Sequence, residues 1–134
     1  VAPVGPEAAV IVIRFCELFY VECKWYKNEP NWWRVLQNAD APMWRWWREA
    51  FSKAQEHGGR EPMLILKRNN RPPVVGHRFG RSFFPGFSLQ AAMPGLPEAV
   101  TFHLLSQVLV SDPMRVLQHA EEVVQEGCTE EEAE

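Results

Sequence analysis

At 134 residues the chain is long enough to bury about two-thirds of its unfolded surface, so it needs neither disulfides nor a structural metal to hold a core. Its composition, 46% hydrophobic and 23% charged, is that of a globular protein. Its apolar runs fall well short of the roughly 18–20 residues of a membrane helix, and no secretory leader pattern is present, so a cytoplasmic protein without a bilayer span is expected.

Residues 1–8 are rich in Pro and Gly and read as a loop. The stretches AAVIVIRF (8–15) and ELFYVECKW (17–25) are rich in β-branched and aromatic residues and predict two neighbouring strands joined near Cys16–Leu18. No Gly or Asn marks that turn. Alternation along the second strand puts Phe19, Val21, Cys23 and Trp25 on one face, suited to a core, and Tyr20, Glu22 and Lys24 on the other.

Residues 27–42 form a connection with room for a short helical turn. Asp40 as N-cap and Pro42 in the first turn open a helix at about 41–57, with Met43, Trp47, Ala50, Phe51 and Ala54 recurring at helical spacing. Gly58-Gly59 ends it. Glu49 and Lys53 lie on its polar side. Two adjacent tryptophans cannot both face one core, so one of Trp46 and Trp47 is expected at a dimer surface or a DNA-facing wall.

PMLILK (62–67) is apolar on both faces, as a covered central strand is. A basic turn follows, with Lys67, Arg68, Asn69 and Arg71 at its tip, and then a short strand VVGH (74–77). Residues 78–98 show no regular pattern; their Phe-rich part, RFGRSFFPGF, reads as an arm packed or swapped onto a partner. Residues 99–109 fit strand or helix, and 112–126 a helix. The chain divides into an α/β core over 1–110 and a C-terminal helix with acidic tail over 111–134. Residues 1–90 carry a net charge of +5 and residues 91–134 one of −8. The cysteines, Cys16, Cys23 and Cys128, are odd in number and match no zinc spacing, which predicts reduced thiols.

A carboxylate and an amine two positions apart in an aromatic strand suit phosphodiester chemistry. A carboxylate holds a hard cation, and an ammonium orients water and faces phosphate charge. The run VECK at 21–24, followed by a helix, a covered strand, a basic turn and a further strand, resembles the PD-(D/E)xK nuclease superfamily and its phage and archaeal Holliday-junction resolvase-like members over about residues 6–77. The resemblance implies a restriction-endonuclease-like fold, a mixed central sheet flanked by helices. It implies a catalytic Glu22 and Lys24, and Mg2+ (or Mn2+) held by Glu22 and the backbone carbonyl of Cys23. Its first acidic residue falls either at Glu7, in Pro6-Glu7, or ahead of Val1, because the sequence contains no Pro-Asp dipeptide. It also implies Glu49 as an accessory residue and a homodimer acting on branched or duplex DNA, whose phosphates Lys67, Arg68, Asn69 and Arg71 would contact. The alternatives are a non-catalytic DNA- or protein-binding module on a degenerate nuclease fold and a phage accessory protein. His77 is the histidine best placed in sequence to serve as a base.

Overall fold

The computed structural model describes residues 6–92, 95 and 99–122, with side chains of the first helix described at residue 10 and from residue 13 onward. The elements run α1 (Pro6–Leu18), β1 (Phe19–Tyr26), α2 (Trp32–Gln37), α3 (Pro42–Glu56), β2 (Glu61–Arg68), β3 (Val74–His77), β4 (Leu89–Ala91), β5 (Val100–Leu104), α4 (Leu105–Leu109) and α5 (113–122). The five strands form one mixed sheet in the order β1-β2-β3-β5-β4. β1 and β2 are parallel and joined through α3, and the other pairings are antiparallel. This is an α/β fold consistent with a restriction-endonuclease-like domain.

β2 organises the molecule because its side chains are apolar on both faces. Leu64 and Leu66 pack with Val35 of α2, with Met43, Trp44, Trp46 and Trp47 of α3, and with Phe102. Met63 and Ile65 point the opposite way, into a second core with Leu18, Phe19, Val75, Phe84, Val116 and Leu117. The sheet is therefore covered by α2 and α3 on one face and by α1, α4 and α5 on the other. Gly58 and Gly59, at φ +88° and +73°, end α3 in the left-handed region that glycine adopts without strain.

Several expectations are corrected. Residues 8–15 are helical, not a strand. A hairpin needs turn residues between its strands, and Arg14–Leu18 has none, so the segment continues as α1 into β1 without a break. An ion pair from Arg14 to Glu121 at 2.8 Å ties α1 to α5. Asp40 is exposed and Ala41 precedes α3. Both Trp46 and Trp47 are buried, because α3 is flanked by β1 as well as β2: Trp46 stacks on Tyr26 with ring centroids 4.6 Å apart. The exposed tryptophans are Trp25 and Trp33. The Phe-rich arm folds onto its own body, with Phe79, Phe83 and Phe84 packed in the second core. Residues 99–109 split into β5 and α4, and the predicted helix 112–126 is seen over 113–122; the rest of it lies outside the described residues. Cys16 and Cys23 are free thiols. Among the described residues no helix is long and apolar enough to cross a membrane.

Candidate phosphodiester site

Strand alternation places Tyr20, Glu22, Lys24 and Tyr26 on one face of β1, and α3 crosses that face. Tyr20, Glu22 and Lys24 are half-buried beneath it; Phe19 is buried in the second core as expected, but Val21, Cys23 and Trp25 are exposed, against the sequence expectation. The reason is Tyr26: stacked on Trp46, it docks the even-numbered side of β1 under α3.

The Glu22 carboxylate, only 12% exposed, takes two ammonium groups at one oxygen. Lys53 Nζ donates to Oε1 at 3.0 Å, and Lys24 Nζ lies 3.7 Å from the same atom. The hydrogen bond to Glu22 raises the Lys53 pKa above its ordinary value, with the Glu22 charge adding to it. The other oxygen, Oε2, is buried without a hydrogen-bond partner. Next to this cluster the Tyr20 ring meets the edge of His57, at the end of α3, with centroids 5.3 Å apart. Lys24 and Lys53 bring two ammoniums to this face, with Glu49 also acting on Lys53 electrostatically.

Glu49 lies one turn before Lys53 and is exposed. The helix side chain that reaches Glu22 is Lys53. Sequence could signal this only through the crossing of α3 over β1, a non-local fact. Glu7 falls in the first turn of α1, and its side chain lies outside the described residues. Cys23 projects its thiol away from Glu22, as strand alternation requires.

The basic tip divides by face. Lys67 and Asn69 brace the turn. Lys67 Nζ donates to the carbonyls of Arg68 and Arg71, and Asn69 Oδ1 accepts from Trp25 Nε1 at 2.8 Å. Arg68 lies on the Glu22 face, opposite Tyr26. Arg68 and Arg71 form no ion pair among the described residues.

His77 is far from this cluster in chemistry as well as position. It is buried on the opposite face, with Nε2 2.8 Å from Nδ1 of His103, and Phe84 packs against both rings. Burial, then the His103 charge, lowers its pKa to about 3; burial lowers that of His103 as well. Beside the pair, Arg78 grips the buried Glu61 carboxylate through two hydrogen bonds of 2.6 and 2.8 Å. Neither pair was legible in the sequence.

A hard divalent cation takes carboxylate oxygens and keeps several waters. Glu22 Oε2 is a buried acceptor lacking a donor, which fits one such bond. No group of three or more His, Cys, Asp or Glu gathers among the described residues. Among the described side chains Glu22 is the carboxylate whose free oxygen suits such a cation.

A family model described as "Phage putative PDDEXK endonuclease" matches residues 13–88, more than half of the chain. No curated protein and no solved structure matches.

Proposed function

Since the chain belongs to this family of phage PDDEXK endonucleases, we propose that it is a metal-dependent endonuclease of branched DNA, resembling Holliday-junction resolvases and acting as a homodimer in the host cytoplasm. The observation that carries the metal-dependent part is the Glu22 carboxylate, with one oxygen against two ammoniums and the other buried and unpartnered. When bound at Glu22, Mg2+ (or Mn2+) supplies neutralisation of developing charge and a more acidic water.

This chain's residues then have distinct tasks. Glu22 would hold the cation through Oε2, with the Cys23 carbonyl as the neighbouring ligand that the family pattern implies and Glu7 as the candidate second carboxylate. Lys24 orients the attacking water and faces the charge on the pentacovalent phosphate. In the overall step the water oxygen bonds to phosphorus, one bridging P–O bond breaks, and a proton goes to the departing oxygen. Arg68 and Arg71 position the phosphate backbone. Cutting both strands of a branched substrate calls for two sites related by a two-fold axis. Val10, Ile13, Leu109, Val110 and Met114, exposed on and beside α1, α4 and α5, offer apolar surface for it.

The Glu22–Lys53 ion pair favours a second reading, a non-catalytic DNA-binding module in which lysine neutralises the carboxylate permanently. Cleavage of a labelled four-way junction and a matched linear duplex, with Mg2+ or Mn2+, separates the two. The nuclease cuts the junction selectively, and Glu22→Ala abolishes cutting while the thermal midpoint stays within a few degrees. DNA binding without cleavage under any metal sinks the enzyme and leaves the module. Equal cutting of junction and duplex removes only the branched-DNA preference.

A further inference from the structure

Beyond the tip of β2, on the face that carries Glu22, lies a cavity of about 220 Å3. Trp32, Leu66, Val74 and Leu104 line it, and Arg68 and Arg71 contribute its cationic groups. It is smaller than the roughly 300–1,000 Å3 of pockets for drug-sized ligands, so its occupant is one ring system rather than a whole cofactor. Trp32 is half-buried and braced edge-on by Phe102 with centroids 4.8 Å apart, which holds the indole in place as a fixed wall. An apolar slot with an indole wall and two guanidiniums that form no ion pair among the described residues matches a planar base attached to a phosphate. An apolar peptide side chain would leave both charges without a partner.

The slot lies on the same side of the sheet as Glu22. Arg68 pairs in register with Tyr26, four residues beyond Glu22 on β1. Four residues of strand span about 13 Å. Because Trp46 of α3 covers Tyr26 on this face, a DNA strand reaching both Glu22 and the slot would pass around the outside of α3. We infer that the slot receives an unstacked nucleobase from the bound strand, with Trp32 as the stacking wall and Arg68 and Arg71 on the flanking phosphates. This rests on the nuclease reading and extends it. It makes an unpaired nucleotide, as found at branch points, a recognition element at a fixed distance from the site.

The test compares three duplexes by fluorescence anisotropy, in Ca2+ in place of Mg2+. One carries a single unpaired nucleotide, one an abasic residue at the same place, and one is fully paired. Abasic and unpaired duplexes share flexibility and charge and differ by one ring. The unpaired nucleotide binds at least fivefold tighter than the abasic residue, the lower end of base–aromatic stacking. Trp32→Leu reduces that ratio to one while leaving fully paired DNA unaffected. Leu104→Trp, which fills the slot from its exposed rim without removing core, does the same and covers the case in which the Trp32 variant fails to fold. Equal binding of unpaired and abasic DNA by the wild-type chain overturns the inference alone, as does a ratio that survives in Leu104→Trp. Failure to bind any of the three duplexes overturns the nucleic-acid reading with it.

Discussion

Lys53 Nζ lies nearer to Glu22 Oε1, at 3.0 Å, than does Lys24 Nζ, at 3.7 Å, although Lys24 shares the strand of Glu22 and Lys53 comes from a helix 31 residues further on. The two ammoniums therefore compete for one oxygen, and their removal should have opposite consequences. Lys53→Met takes a positive charge away from the carboxylate, so apparent Mn2+ affinity rises about fivefold, the size of an exposed ion pair. Lys24→Met slows single-turnover cleavage by about a hundredfold or more, as loss of a positioned proton-transfer or charge-stabilising group does. Calorimetric Mn2+ titration and single-turnover kinetics on both variants check the split. Weaker Mn2+ binding by Lys53→Met would show that Lys53 holds Glu22 in place instead of competing with the cation.

The buried histidine pair makes stability depend on pH in a defined direction. The folded His77 pKa is about 3, against an ordinary value of 6.5, because burial and then His103 disfavour its charged form. Between those values the unfolded chain binds the extra proton, so stability is complete above about pH 6.5 and is lost as pH falls towards 3. For His77 alone the loss is about 1.4 kcal/mol per pH unit below pH 6. Urea unfolding at pH 7.5 and pH 5 should show a drop in the wild-type chain that is clearly smaller in His77→Gln. Parallel drops would assign the acid sensitivity to other groups.

Arg68 and Lys67 are adjacent in sequence but differ in what holds them. The Lys67 ammonium is already engaged by the carbonyls of Arg68 and Arg71, while Arg68 faces the Glu22 side without an ion pair among the described residues. In DNA binding measured across a salt series, Arg68→Gln lowers the slope of log K against log salt by about one, the value for one lost phosphate contact. Lys67→Gln changes it by much less. Equal changes for both would mean that the Lys67 tether opens on binding.

What could be read in advance follows the range of the interactions. β2, α3 and β3 are written locally: an apolar run on both faces, helical spacing ended by Gly58-Gly59, and a turn through Asn69 and Asn70. The Val and Ile residues of α1 favour a strand, but the missing turn at Arg14–Leu18 decides for the helix. Along β1 the apolar side is buried at Phe19 but exposed at Val21, Cys23 and Trp25, because the docking of Tyr26 on Trp46, which lies outside any local window, brings the other side under α3. Glu22 and Lys24 stood out by themselves. Lys53, the His77–His103 pair and the Glu61–Arg78 pair join residues 17 to 31 positions apart, and only the folded sheet brings them together.

The place of β1 at the rim of the sheet has one more consequence. Among the described residues its backbone is laced to a neighbour along one side only, whereas β2 is laced along both. The outer edge of β1 therefore presents a row of backbone donors and acceptors on which a further strand could pair.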